Sequence, residues 1–334
     1  MEAVKVNYSQ FMPDALLEVL KMKYDLPADS ECIFFKNGLN DLYRITSAQG
    51  TFFFRVSLCG EHTTEQIKEE IEFIEHLRSL GLSVVEPIAL RDNSYVWEIS
   101  APEGSRQAVM FKGIEQRPTG EGAVRMRKLG ALIARLHNAS LSFKTESVRP
   151  PIDRKMLVDE PTRLLTPYLE RRADDMDFLS KTARALWDSA ETMLSRHEGA
   201  AGYCHGDIQT GNFFFNGEEA VIFDFDCMGK GYFAYDLGVL LMNLTFMDEK
   251  IDKSPIWKAV IKGYEEERRF TDEEKDSVYI FAALHMLRAL SYHAKLSKQN
   301  LGAFYYMSDP HLDTYFGAYR RLVALAQKRT GIKL

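Results

Sequence analysis

Cysteine is scarce in this chain. Only Cys32, Cys59, Cys204 and Cys227 occur in 334 residues, and no two of them form a C-x-x-C pair. The opening stretch MEAVKVNYSQFMPDALLEVL contains no continuous apolar segment of the secretory kind. Together these lead us to expect reduced thiols in a cytoplasmic protein. Long apolar runs are missing too: no stretch of 18 apolar residues occurs, so no membrane-spanning helix and no membrane partner are expected. An excess of positive charge is absent. Lys and Arg total 42 against 48 Asp and Glu, a net charge of −6, which argues against a nucleic acid as the main partner. That balance is compatible with a cationic small molecule. Internal repeats and low-complexity tracts are also absent. What remains is an ordinary globular composition, 46% hydrophobic and 27% charged, long enough for two lobes with sizeable cores.

The organisation changes about a third of the way along. SECIFFKNGLNDLYRITSAQGTFFFRVSL predicts three strands with turns at Asn37-Gly38 and Gln49-Gly50. TTEQIKEEIEFIEHLRSLG predicts a helix with Ile67, Ile71, Ile74 and Leu77 at helical spacing and Gly81 as its stop. YVWEIS and RQAVMFKGI add two strands. Residues 1–112 therefore read as an antiparallel sheet with one helix. From 113 to 334 the pattern is mostly helical, beginning with GAVRMRKLGALIARLHNAS and continuing after a proline-containing connector. The fold class expected is α+β in two lobes: a sheet-and-helix lobe, then a larger helical lobe carrying one hairpin.

That hairpin lies in HGDIQTGNFFFNGEEAVIFDFD, residues 205–226. Phe213-Phe214-Phe215 and Ala220-Val221-Ile222-Phe223 are short strands joined through Asn216-Gly217, the strongest short hairpin signal. In an antiparallel pair the start of the first strand and the end of the second fall together. Asn212 and Asp224 should then lie within one or two strand spacings of roughly 4.8 Å each. Asp207 is on the loop entering the same end. Carboxylates beside an apolar strand pair are costly to desolvate unless something pairs with them. Hard oxygen donors of this kind suit Mg²⁺, which prefers one or two carboxylates plus phosphate oxygens. Taken singly, each aspartate reads as a turn or helix cap. As a set, H-x-D-x-x-x-x-N followed by an apolar hairpin and Asp is the spacing of the protein-kinase catalytic segment.

Arg55 in TFFFRVSL sits inside an apolar strand, where an unpaired charge is expensive. At about 100° per residue, Ile67, Ile71, Phe73, Ile74 and Leu77 form one broad helix face with Glu70 near its middle. An Arg55–Glu70 ion pair explains both buried charges. Glu65, Glu69, Glu72 and His76 fall on the other side of that helix, and Glu75 also lies away from the face.

His205-Gly206-Asp207, Asn212 and VIFDFDCMGKGYFAYDLG resemble the aminoglycoside phosphotransferase and choline kinase family, most strongly over residues 203–241. The resemblance implies a protein-kinase-like two-lobe fold and a phosphotransferase that uses ATP and Mg²⁺. It implies Asp207 as catalytic base and Asn212 and Asp224 as metal ligands, with His205 and Asp236 bracing the loop. Asp226 stays open between a supporting contact behind the metal ligands, a substrate contact and a turn residue, with the turn favoured. Arg55, with Glu70, would hold the nucleotide phosphates where kinases usually carry lysine; arginine grips bidentately but has a different reach. KNGLNDLYRI has a single glycine and no G-x-G-x-x-G. By itself it is a hairpin turn; by position and resemblance, Asn37, Gly38 and Asn40 would cover the phosphates. Met110 to Glu115 would offer backbone groups to adenine.

His137 reads as a packing histidine at a helix end. His285, Arg288 and Tyr292 share one side of a helix and read either as a cleft lining or as a mixed-polarity face, the latter favoured. The expected function is γ-phosphoryl transfer from ATP to a hydroxyl of a small molecule: an amino alcohol, homoserine, an aminoglycoside or another sugar. Two alternatives stand beside it. One is a bacterial Ser/Thr protein kinase of similar fold; the other is a non-catalytic nucleotide-binding homologue of kinase shape.

Overall fold

The computed structural model describes residues 4–146, 148–297 and 306–334. The chain forms two compact units. The first comprises residues 1–117, 143–149 and 221–226; the second comprises 118–142, 150–220 and 227–334.

In the first unit, α1 (Pro13–Lys23) precedes β1 (Glu31–Lys36), β2 (Asn40–Ser47) and β3 (Gly50–Ser57). α2 (Thr64–Ser79), β4 (Pro87–Ile88), β5 (Trp97–Ala101) and β6 (Gly104–Lys112) follow. The sheet order is β1-β2-β3-β6-β4, with β5 on β6, and all pairs are antiparallel. One helix was expected here and two are found. α1 carries Leu16, Leu17 and Leu20, which join Tyr24, Tyr43, Phe54, Val56 and Met110 in one apolar core. Pro13 sits at its first turn, where a missing N–H costs nothing. Strand alternation puts Phe52, Phe54 and Val56 into that core and turns Arg55 to the opposite face of β3. α2 starts on a capping box, Thr63 with Gln66. A second buried ion pair, which nothing in the sequence pattern marks, ties the N-terminal segment down. Arg106 donates to Asp41 at 2.7 Å, to the Ser57 carbonyl at 2.8 Å and to the Ser9 carbonyl at 2.8 Å.

A two-residue strand, β7 (Arg117–Pro118), leads to α3 (Gly122–Ser140), α4 (Glu160–Leu169) and α5 (Ala173–Leu194). The short strands β8 (Ala201–Cys204), β9 (Phe213–Gly217), β10 (Glu219–Ile222) and β11 (Gly229–Tyr232) come next. The chain ends with α6 (Ala234–Met247), α7 (Pro255–Glu267), α8 (Asp272–Ser297) and α9 (Asp309–Thr330). β9 is the middle strand of a β10-β9-β7 ribbon, and β8 pairs antiparallel with β11, Cys204 opposite Gly229. Within the second unit α8 is the central helix, packed by α4, α5, α6 and α9. Every residue from Ser277 through Arg288 is buried, so this part of the helix is covered on all sides. α3 and α7 pack closely through Gly130 and Gly263; a Cβ at Gly263 would fall 1.8 Å from the Arg127 carbonyl.

Candidate active site

The first unit brings together Arg55, Glu70, Asn40, Asp224 and Asp226. Arg55 and Glu70 form the expected ion pair, bidentate and buried: Nη1 donates to Oε1 at 2.8 Å and Nη2 to Oε2 at 2.7 Å. Burial alone would lower the affinity of Arg55 for its proton, and Glu70 more than offsets this, so the guanidinium stays charged. Its Nη1 also lies 3.4 Å from Asp224 Oδ1. Its buried Nε has no hydrogen-bond partner among the described residues.

Arg149 was not found from sequence. It donates through Nη2 to Glu70 Oε2 at 2.9 Å, through Nε to the Gln66 carbonyl at 2.8 Å, and through Nη1 to the Asp226 carbonyl. Its only signal is an arginine before two prolines in a connector, which has no period to read. Glu69 is a correction to the helical wheel. It is buried rather than solvated, because residues 143–149 return across that side of α2. Its Oε2 accepts from the Val148 and Arg149 backbone N–H groups, both at 2.8 Å.

Asp224 follows β10 with φ 67°, a left-handed conformation that costs a non-glycine residue energy and is found disproportionately at functional positions. Asp226 lies in a 3-10 turn, Phe225–Cys227, and is buried as well. Its Oδ2 accepts from Asn40 Nδ2 at 2.7 Å, and the Asn40 Oδ1 is buried with no partner among the described residues. Burial would raise the Asp226 carboxyl, but Arg55, His62, Asn40 and Arg149 hold it below the ordinary range. Asn37 and Gly38 lie in the β1–β2 connection, Asn37 exposed.

The second unit holds Asp207 and Asn212. Asn212, immediately before β9, donates through Nδ2 to the Asp207 carbonyl at 2.9 Å and to its Oδ2 at 2.8 Å. Gln209 Nε2 adds a bond to the same Oδ2 at 2.8 Å. With its amide N–H₂ turned to Asp207, Asn212 directs its carbonyl oxygen elsewhere, free to accept a cation. Gly206 has φ 85°, and a Cβ there would meet the Cys227 carbonyl at 2.0 Å. No side chain fits between His205 and Asp207, which gives the physical reason for glycine where protein kinases carry arginine.

The loop is held from below. Asp236 accepts from the backbone N–H of His205 and of Gly206, each at 2.8 Å, and its Oδ2 lies 3.0 Å from His137 Nε2. His137 Nδ1 meets Tyr264 Oη at 2.8 Å. Burial works against the Asp236 charge, and His137 with these N–H groups keeps its carboxyl below the usual range nonetheless. His137 is thus a buried packing and bracing residue.

His285, Arg288 and Tyr292 correct the favoured reading. They are not a mixed-polarity face. His285 and Arg288 are buried in the second unit behind the H-G-D loop. His285 Nδ1 bonds Tyr235 Oη at 2.8 Å, and Nε2 lies 4.0 Å from Asp207 Oδ1. The helical spacing was visible; that other helices close over α8 was not.

A strand arginine locked to a helix glutamate, with an H-G-D-x-x-x-x-N loop in a helical unit, defines a kinase-like phosphotransferase with an alcohol group as acceptor. The chain belongs to the phosphotransferase enzyme family (APH), whose profile matches residues 33–270. A homoserine kinase of Neisseria meningitidis serogroup B is 27% identical over 269 residues, covering 75% of this chain and 84% of that one. An amicoumacin kinase solved with AMP-PNP, Ca²⁺ and Ami superposes with a TM-score of 0.72 at 17% identity, over 96% of this chain and 94% of that one. A microcompartment-associated aminopropanol kinase gives 0.71 at 17% identity, over 96% and 99%. These two likenesses establish the fold. Among the described residues no helix is long and apolar enough to cross a membrane.

Proposed function

We propose that the protein transfers the γ-phosphoryl group of ATP to a hydroxyl of a small molecule, with Asp207 as the base. The observation that carries this reading is Asn212 fixed on Asp207 by two hydrogen bonds inside the H-G-D-x-x-x-x-N loop. Gln209 and Asn212 hold the carboxylate in one orientation, as a base that must meet an acceptor hydroxyl requires. Asn212 and Asp224 would be the oxygen donors for Mg²⁺, and the ion would neutralise charge on the phosphates. Arg55, its Nε without a partner among the described residues, would contact phosphate while Glu70 holds it in place. Asn40 would present its Oδ1, which has no partner among the described residues, on the nucleotide side, with Asn37 and Gly38 covering the phosphates. The homoserine kinase relative and the amicoumacin and aminopropanol kinases of the same fold favour a small acceptor over a protein.

The test is ATP consumption against a panel of amino alcohols, hydroxy amino acids, sugars and aminoglycosides, with Asp207→Asn as the blank. Turnover should require a divalent cation and should vanish with excess chelator. Full turnover by the Asp207→Asn enzyme would remove the base assignment.

A further inference from the structure

We infer that the acceptor alcohol carries a carboxylate, held by Arg288 beside Asp207. This rests on the kinase reading above and narrows its substrate class.

Four arginines are buried among the described residues: Arg55, Arg106, Arg149 and Arg288. Three have a carboxylate at close range: Arg55 and Arg149 share Glu70 at 2.7 and 2.9 Å, and Arg106 has Asp41 at 2.7 Å. Arg288 is the exception. It is only 4% exposed, yet no carboxylate of a described residue lies within 4 Å of it. Its partners are all neutral. Nη1 donates to the Gly206 carbonyl at 3.2 Å and to Tyr235 Oη at 3.0 Å, and Nη2 donates to Tyr292 Oη at 3.2 Å. A guanidinium has five N–H donors. The Nε–H and one Nη2–H make no hydrogen bond to a described residue. A buried cation with no carboxylate in contact is costly: Asp207 acts on it only from beyond 4 Å, and a ligand anion in contact offsets the rest. Two free N–H groups match the two oxygens of a carboxylate.

The place is as informative as the charge. Gly206 immediately precedes Asp207, so a carboxylate on Arg288 sits a short chain away from a hydroxyl on Asp207. Lys295 adds positive charge nearby, its Nζ 6.0 Å from the centroid of the Tyr292 ring that Arg288 also faces, whereas His285 adds none. Tyr235 accepts from Arg288, so its own proton goes to His285 Nδ1, and His285 keeps its hydrogen on Nε2, facing Asp207. Burial and the adjacent Arg288 hold His285 far below its usual pKa, in the neutral form. A polycationic acceptor would meet like charge here, whereas a short hydroxy acid meets its complement. In the reaction the acceptor O–H gives its proton to Asp207. A new O–P bond forms to the γ-phosphorus, and the β-γ bridging O–P bond breaks with its electron pair leaving on ADP.

The experiment uses matched acceptors with the full chain: L-homoserine against its carboxamide, and 4-hydroxybutanoate against 4-hydroxybutanamide, with 1-amino-2-propanol and kanamycin alongside. We expect kcat/KM to favour each acid by at least about tenfold, the loss expected for a hydrogen bond to a charged group. Arg288→Gln should raise KM for the acid, erase the preference and leave KM for ATP unchanged, and Arg288→Lys should restore part of it. Should Arg288→Gln fail to fold, Tyr292→Phe and the wild-type acid-to-amide ratio still decide. Equal or better use of the amides, or an equal loss on acid and amide in Arg288→Gln, overturns the inference. If carboxylate-free alcohols are phosphorylated through Asp207, the kinase reading stands and this one falls. If no alcohol is turned over, calorimetric binding of L-homoserine and its carboxamide decides. Tighter binding of the acid that is lost in Arg288→Gln supports the inference; equal binding of the two, or none, overturns it.

Discussion

Glu70 accepts from two guanidiniums at once, from Arg55 at 2.8 and 2.7 Å and from Arg149 at 2.9 Å, at zero exposure. Removing its charge strands two buried cations. Glu70→Gln should therefore cost about 3–5 kcal/mol, the range for breaking a buried pair, read from urea denaturation midpoints. A loss under about 1 kcal/mol, within the range of a surface salt bridge, would show that water reaches the cluster. Glu69 has a milder task, because its partners are two backbone N–H groups. Glu69→Gln keeps one acceptor oxygen and should cost about 1–3 kcal/mol. The sequence distinguishes these two residues only in part. Glu70 stood out because an apolar helix face surrounds it within a few residues. Glu69 looked solvated because what covers it, Val148 and Arg149, arrives about eighty residues later along an aperiodic connector.

Elements with a strong local period were legible: β1 to β3, α2, β5, β6 and α3 all fall where spacing and turn residues put them. α1 was missed, although Leu16, Leu17 and Leu20 share a face, because eleven residues hold barely three turns of pattern. The β8–β11 ribbon was missed because glycines at 202, 229 and 231 give it no strand signature. α8 showed helical spacing, but its polar residues suggested an exposed side, and only the packing of four helices around it accounts for their burial. The α3–α7 contact gives a direct test of element packing. Gly263 faces the Arg127 carbonyl too closely for a side chain, so Gly263→Val must separate the helices. We expect at least the roughly 1–3 kcal/mol of overpacking in a close-fitted core, seen as a lower melting temperature. An unchanged melting temperature would mean the helices are free to slide apart.

At the scale of the whole molecule, acidity should weaken the fold early. Burial holds His62, His137 and His285 below the ordinary histidine pKa, and burial with neighbouring His311 brings His293 to about 4. Between pH 6.5 and these lower values the unfolded chain binds protons that the folded chain refuses, so stability falls as pH falls. Urea midpoints should drop from pH 7.5 to pH 5, and His293→Asn should flatten that slope; a flat wild-type profile would contradict the burial of these rings. The family, the α+β class and the H-G-D-x-x-x-x-N loop were readable because they depend on local spacing. The charge around the acceptor end was not, since Arg288 lies 81 residues from Asp207 and only the fold joins them. The most direct test of the account is phosphorus NMR of ATP, magnesium and L-homoserine with wild-type and Asp207→Asn protein. The account predicts a new phosphate monoester and ADP with the wild type, and a rate lower by about 10²–10⁴ in the variant, the usual worth of a general base. Equal rates in the two proteins would contradict it.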